Sequence, residues 1–454
     1  RVELNPGKES ENCQIFIDGK PKAILSVPGL YTTSFDGISF GWMAGIDDLK
    51  ITSGESALTP IENAEPYIYV NPIQVTERSA DHKLPVGKDP YSLFLQDGVP
   101  KVVKTISDKI EGELQVTELV LEIRPESKEY GLIESHVHAI IARPASANKP
   151  LPGILILHGG GGWASAEKAK VLGWASRGYT AMAIDVPGVC QPNKVQHSTG
   201  VAGLPYAANR WNASPDAATS SLFDAQLAGL QALNFLRAQP NINKDKIGLT
   251  GISWGGFTST GVAGLAGDKL HAVFAVYGCG FLDLTGMSQF INKASPEDKE
   301  RWLKYIDAGR KAPGITAPYF IAAPTNDGHF HPPAVSATLD AIPGEKNQLI
   351  NPNENHRCNL VPGGTKKKDN TTWLSMEIPY FAYHLKGEGE PFPSIIVSEK
   401  KSDQERRVFF SLEGPEKFDT PVVYYTVENE LNWGSRKWLP VKVKIEGKSR
   451  FSAL

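Results

Sequence analysis

Cysteine is scarce and scattered: Cys13, Cys190, Cys279 and Cys358 are the four in 454 residues, and no two of them form a C-x-x-C pair. That spacing excludes a disulfide-stapled scaffold and gives no zinc or redox signature, so the four read as buried or free thiols. An excess of one charge sign is missing too. With 47 Lys+Arg against 50 Asp+Glu and a formal charge of -3, the chain has no surplus with which to hold a polyanion, and nucleic acid is not expected as a partner. No apolar run approaches the roughly 18 residues that a membrane span needs, so no membrane partner is expected either. A phosphate-binding loop and an internal repeat are also lacking. The first residue is Arg1, with no charged and apolar leader behind it, which reads as a processed or trimmed chain.

What is present is turn chemistry and alternation. The 43 Gly and 33 Pro call for many turns, and the length allows two to four domains. In the middle of the chain, apolar runs at 153–157, 179–184, 247–251, 272–277, 318–323 and 347–351 each end in Gly, Pro or Asn. Continuous apolar runs of this length separated by helical patterns predict a parallel sheet buried on both faces. Leu222, Leu227, Leu230, Leu233 and Leu236 recur at helical spacing until Pro240, predicting a long helix ahead of the run 247–251. Stretches 119–123 and 136–141 alternate like antiparallel strands leading into that sheet.

The ends differ from the middle. Short strands at 14–18, 23–26 and 49–52 predict a β-rich module over 1–60, followed by an extended linker over 61–114. The central α/β domain is placed at 115–390. Strands at 394–397, 407–410, 422–427 and 441–445 predict a small β-sandwich over 391–454, in which Trp433 and Trp438 fill a small core or stack with Arg436. Segments 191–217 and 282–312 interrupt the central domain and have the length of lids or binding loops.

The run 247–251 enters Gly251-Ile252-Ser253-Trp254-Gly255-Gly256, a G-x-S-x-G pattern before a small-residue helical stretch. A serine needs a tight strand-to-helix turn to expose its hydroxyl, and glycines two residues either side let strand and helix approach. The pattern alone is cheap. Gly37-Ile38-Ser39-Phe40-Gly41 matches it as well, but no parallel-strand series or long helix surrounds Ser39, so Ser253 is the expected nucleophile. Upstream, the run 153–157 ends in His158-Gly159-Gly160-Gly161-Gly162. An attacked carbonyl oxygen turns anionic and needs aligned donors, expected here from the N–H of Trp254 and of Gly160 or Gly161. His158 is expected to hydrogen-bond the loop rather than titrate.

Downstream, the run 318–323 leads to Thr325-Asn326-Asp327-Gly328-His329-Phe330-His331-Pro332-Pro333, and the next run leads to Asn353-Glu354-Asn355-His356. Asp327 at a strand end can orient His356, which can take a proton from Ser253. Asp283, after the run 272–277, is the rival acid. His329 and His331 stand too close to Asp327 to serve as the separate base. His136 and His138 would share one face of a strand, but no third ligand stands near them in the sequence, so no metal and no cofactor is expected.

On these motifs, residues 119–386 resemble an α/β-hydrolase. Within that superfamily, the elbow at Gly251 to Gly256 and the Asp327 loop with its Pro332-Pro333 resemble acetyl xylan esterases, cephalosporin C deacetylases and dienelactone hydrolase-like proteins. The resemblance implies a doubly wound, mostly parallel α/β sheet and a serine carboxylesterase, with an acylated plant or algal carbohydrate or a small-molecule ester as substrate. Such a protein would be secreted or periplasmic. Trp163 and Trp211 are expected to line the substrate pocket. A serine peptidase on the same residues, or a non-catalytic carbohydrate-binding protein, is the alternative. Residues 13–53 resemble part of a laminin-G or concanavalin-like jelly roll.

Overall fold

The computed structural model describes residues 83–358 and 374–453, apart from short breaks at 86–88, 96–97, 192–193, 196, 204–205, 402–405, 415–420, 428–431 and 448, together with the backbone of three strands near the start. Those strands, β1 (Val2–Leu4), β2 (Asn12–Ile17) and β3 (Lys20–Ser26), pair antiparallel in that order, within a unit formed by Arg1–Val70. The expected strand at 49–52 and Ser39 lie outside the described residues.

The second unit, Asn71–Leu454, is built on a nine-stranded sheet. Its strands are β4 (Val102–Glu111), β5 (Leu114–Arg124), β6 (Ser135–Pro144), β7 (Leu151–Leu157), β8 (Thr180–Ile184), β9 (Ile242–Ile252), β10 (Ala272–Val276), β11 (Tyr319–Pro324) and β12 (Lys346–Asn351). They lie in the order β4-β5-β6-β8-β7-β9-β10-β11-β12. From β8 to β12 every neighbouring pair is parallel, and β4, β5 and β6 add an antiparallel edge. The six apolar runs of the sequence are thus the six parallel strands, and this is the expected α/β-hydrolase sheet. Because β4 pairs along β5, the sheet starts at Val102, ahead of the boundary at 115 that the sequence suggested.

Helices cover both faces, which is why the central strands can be apolar throughout. On one face, α2 (Ser221–Arg237) and α3 (Trp254–Ala266) pack into a cluster containing Leu155, Leu157, Leu222, Leu227, Phe257 and Leu249. On the other, α1 (Lys168–Ser176) and the helix Leu374–Phe381 pack on Ile154, Ile156, Ala183 and Phe274. α2 begins where the Ser220 hydroxyl accepts the Leu222 N–H at 3.3 Å, satisfying one of the free donors of its first turn.

The C-terminal residues form β13 (Ser394–Lys401), β14 (Arg406–Glu413), β15 (Val423–Tyr425), β16 (Leu439–Val441), β17 (Val443–Gly447) and β18 (Arg450–Ala453). They make a four-stranded antiparallel sheet, β13-β14-β18-β17, and a two-stranded ribbon of β15 and β16. Phe410 and Phe451 stack at 5.3 Å in the sheet.

One ion pair is buried outright in the main unit. Arg124 at the end of β5 meets Asp224 in the first turn of α2, Nη1 to Oδ1 at 3.0 Å, both side chains almost fully enclosed. Removing one partner strands the other charge. Arg124→Ala should therefore lower the unfolding free energy by about 3–5 kcal/mol, whereas Arg124→Met combined with Asp224→Leu should recover most of the loss. Denaturant midpoints of the three proteins check this, and a single variant as stable as the parent would contradict it.

Candidate active site

The parallel order places β7 between β8 and β9, so the chain changes direction across the sheet at β7 and a crevice opens at the carboxyl ends of β7 and β9. Two loops lie there: the glycines after β7 and the turn after β9. Ser253 stands alone between β9 and α3, with φ 56° and ψ -119°. A side chain at Gly251 would put its Cβ 2.2 Å from the Gly255 oxygen, and one at Gly255 would sit 2.1 Å from the Leu157 oxygen. Both glycines are therefore required by contact. The turn is fastened by Ser253 N–H to the Val276 carbonyl at 2.8 Å and by Phe257 N–H to the Ser253 carbonyl at 3.0 Å.

The three residues expected to act together meet. Ser253 Oγ lies 2.8 Å from His356 Nε2, and His356 Nδ1 lies 2.8 Å from Asp327 Oδ2. The other carboxylate oxygen of Asp327 accepts the N–H groups of His329 at 2.8 Å and Phe330 at 3.1 Å, so this fully buried acid is held on both sides. Asn355 Oδ1 accepts from the N–H of Gly328 at 3.0 Å and of His356 at 2.8 Å, tying the acid loop to the histidine loop. The rival acid is occupied elsewhere: Asp283 takes a two-point contact from Arg310, at 2.6 and 2.7 Å. His329 stands edge-on to the His356 ring at 4.9 Å. Burial, then the neighbouring His356, holds its imidazole below the ordinary histidine value.

The glycine loop decides between the two expected donors. Gly161 gives its N–H to the Val189 carbonyl at 2.8 Å, so the expectation that it could face an oxyanion is corrected and Gly160 is left beside Trp254. His158 is locked as a support. Its Nε2 accepts the Val186 N–H at 2.9 Å, which puts the proton on Nδ1, 2.8 Å from the Gly159 carbonyl. Burial lowers its pKa. The same ring makes His158, Asp185 and Cys190 a group with metal-ligand spacing, but both His158 nitrogens are already used. On β6, Glu122 and Glu134 approach His136 Nε2 at 3.9 and 3.7 Å, and Glu118 approaches His138 at 3.7 Å. Glu118 and Glu122 come from the neighbouring strand, which the linear sequence did not bring near, whereas Glu134 stands only two residues before His136.

Of the two expected pocket tryptophans, Trp211 reaches the site: its ring stacks on Phe290 at 5.4 Å and meets Trp302 at 5.4 Å and Trp254 at 6.0 Å. Phe290 and Trp302 belong to the segment 282–312, so the two inserts join over Trp254. Trp163 begins the turn after the glycines, and among the described residues it makes no ring contact with Trp254, Trp211 or His356.

Sequence reasoning missed a contribution from the C-terminal strands. Asn326, next to the acid, donates to the Gly434 carbonyl at 3.3 Å and to that of Arg436. Asn353, three residues before the base, exchanges a pair of bonds with the Trp438 backbone at 2.8 and 2.9 Å. Arg436 itself lies over the Trp433 ring at 3.6 Å, the stacking that was expected. Nothing in the spacing of two asparagines announces such a clasp.

A family model described as acetyl xylan esterase (AXE1) matches residues 128–374, more than half of the chain. The chain belongs to the acetyl xylan esterase family. The match holds Ser253, Asp327 and His356 and stops short of the clasping residues 434–438. Among solved structures, the acetyl xylan esterase from Paenibacillus sp. R4 is 18% identical with a TM-score of 0.49, covering 67% of this chain and 98% of that one. Acetyl xylan esterase 1 from Thermoanaerobacterium sp. JW/SL YS485 is 19% identical with a TM-score of 0.48, covering 68% and 98%. A cold-adapted esterase from an Arctic intertidal metagenomic library is 19% identical with a TM-score of 0.42, covering 62% and 98%. Likeness at this level says nothing about substrate. No curated protein is significantly similar.

Because Asp283 is engaged by Arg310 and Asp327 by His356, Asp327→Asn should cripple ester turnover, by about 10⁴-fold where the amide fixes the wrong imidazole tautomer. Asp283→Asn should leave kcat within a few-fold. Rates on an aryl acetate give the ranking, and the reverse order would move the acid to the loop after β10.

Proposed function

We propose that this member of the family is a serine-dependent carboxylic-ester hydrolase that removes acetyl or similar short acyl groups from plant or algal carbohydrate. The observation that carries the reading is the relay from Ser253 Oγ through His356 to Asp327, 2.8 Å at each step. In the first half-reaction Ser253 Oγ attacks the ester carbonyl and its proton passes to His356 Nε2. The carbonyl oxygen takes the electron pair between the N–H groups of Trp254 and Gly160, and collapse expels the sugar alcohol with the proton held by His356. Water then repeats the sequence on the acyl-enzyme. Asp327 stabilises the imidazolium and keeps its proton on Nδ1.

The substrate side of the proposal rests on Trp211. Its ring is held by Phe290 and Trp302 of the other insert, beside Trp254, which suits a small acyl group in a confined pocket with a cleft for sugar beyond it. A polymer of that kind is met outside the cytoplasm, so a secreted or periplasmic place belongs to the same proposal. Neither nucleic acid nor membrane enters it, and the scheme uses no metal or other cofactor.

Ser253→Ala should abolish hydrolysis of an aryl acetate, a loss of several orders of magnitude, while Ser39→Ala stays near wild type. Equal activities would end the assignment, as would failure of a fluorophosphonate to label the wild-type chain. Specificity constants should fall steeply from acetyl to octanoyl esters, and an aminoacyl amide should be a far poorer substrate. EDTA should change nothing. With pH, kcat/KM should climb as His356 loses its proton, since only the neutral imidazole accepts from serine. One ionisation should suffice, because burial lowers the pKa of His329 and His331 and favours their neutral forms. A profile needing two protonations on its acid side would contradict this.

A further inference from the structure

Arg210 is a buried cation without a carboxylate. It is 4% exposed, and no acidic side chain pairs with it among the described residues. Its Nη2 donates to the Gly188 carbonyl at 2.6 Å, and its Nε is enclosed with no hydrogen-bond partner. The charge lies 4.1 Å from the Trp254 ring centroid and 4.6 Å from that of Tyr206. Removing a guanidinium from water without a counter-ion costs several kcal/mol even after relaxation, on the order of magnitude found for buried ions. An anion arriving during the reaction would offset that cost.

The Tyr206 hydroxyl stands beside the glycine loop. A methyl group at Gly160 would lie 2.5 Å from Tyr206 Oη and 2.9 Å from Trp254 Cδ1, and one at Gly159 would lie 3.4 Å from Ser253 Cβ. The hydroxyl therefore presses on the glycine whose N–H is one oxyanion donor, beside the residue whose N–H is the other.

We propose that Tyr206 is a catalytic residue, a third oxyanion donor made of a side chain, and that Arg210 is the positioning residue that polarises it. The proposal rests on Ser253 acting as the nucleophile. The guanidinium over the Tyr206 ring draws electron density from the phenol, which strengthens its O–H as a donor to the oxygen of the tetrahedral intermediate. No proton leaves Tyr206. As the bond from Ser253 Oγ to carbon forms, the carbonyl π pair moves to oxygen and the serine proton goes to His356. Collapse returns the pair to the carbonyl and breaks the bond to the alcohol, which takes the proton from His356. A neutral ester gains little from a nearby cation and the anionic intermediate gains much, so the arrangement favours the transition state over the bound substrate.

Tyr206→Phe tests this by removing one oxygen while keeping the ring between Arg210 and Gly160. On an aryl acetate, kcat should fall by about 10²–10³-fold, the loss typical of one oxyanion donor, with KM within about twofold, the pattern of an interaction made only in the transition state. The inhibition constant of a short alkylboronic acid, which forms a tetrahedral anion on serine, should weaken by a similar factor. Arg210→Lys should retain part of the rate. Arg210→Met should lose most of it alone, yet add little when combined with Tyr206→Phe, because Arg210 acts only through Tyr206. A purely structural role for the pair would lower the melting temperature and leave boronate affinity alone. An active wild type with a Tyr206→Phe variant unchanged in kcat and boronate affinity overturns this assignment and spares the serine mechanism. A wild type inert to both aryl acetate and fluorophosphonate overturns both.

Discussion

The site depends on one close approach, that of the α3 backbone to the end of β7. Gly255 sits so near the Leu157 and His158 carbonyls that a Cβ would lie 2.1 and 2.6 Å from them, and Gly278 is pressed equally against the Ser253 carbonyl. A serine at φ 56° pays roughly 1–3 kcal/mol for that conformation, and it persists only where neighbours fix both sides of it. Here the neighbours are β10, which accepts the Ser253 N–H, and α3, whose first turn accepts no larger residue at Gly255. The strain aims the hydroxyl toward His356.

Charge around this point is arranged by contrast. Asp327 is fully enclosed yet has two backbone donors and an imidazole. Asp307, equally enclosed, serves structure: its carboxylate takes the N–H groups of Phe281, Leu282 and Gly309 and one contact from Arg310, which also binds Asp283. Those acids are satisfied by the fold itself. Arg210 is not, and an enclosed charge that the resting fold leaves to aromatic faces and one carbonyl is the kind whose compensation comes with a ligand.

Sequence was informative wherever a feature is local or periodic. Five of the six parallel strands are continuous apolar runs because helices cover both faces, while β12 at the edge is half-exposed. α2 shows leucines at helical spacing between a serine cap and Pro240, and the elbow needs glycines at fixed offsets from Ser253. The order of Ser253, Asp327 and His356 followed from loops at strand ends. What stayed hidden is long-range. β4 is mostly exposed and lacks apolar alternation, so only its β-branched residues, Val102, Val103, Thr105, Ile106 and Ile110, mark it as strand. The choice of Asp327 over Asp283 turns on Arg310, 27 residues from Asp283. The loss of Gly161 as a donor turns on Val189, and the clasp of Asn326 and Asn353 turns on backbone groups more than eighty residues away. A hydrogen bond to a distant carbonyl has no residue pattern at the receiving end, since every residue carries that carbonyl.

That same asymmetry explains how the C-terminal strands can matter to a site whose family signature ends before them. Asn353 adopts φ 57°, a left-handed turn that asparagine tolerates better than most side-chain-bearing residues, and its amide then matches the Trp438 backbone as a second strand would. Asn326, one loop away, donates to two carbonyls, those of Gly434 and Arg436. Each bond alone contributes only about 0.5–1.5 kcal/mol, too little to decide whether the domain folds. Their placement is what counts: one holds the residue before the acid, the other the turn before the base, and both lead to a single short stretch of chain, Gly434 to Trp438. Because a displacement of about 1 Å in a catalytic group can cost on the order of 10²-fold in rate, on the proposed mechanism two weak bonds beside Asp327 and His356 carry more weight in catalysis than in stability.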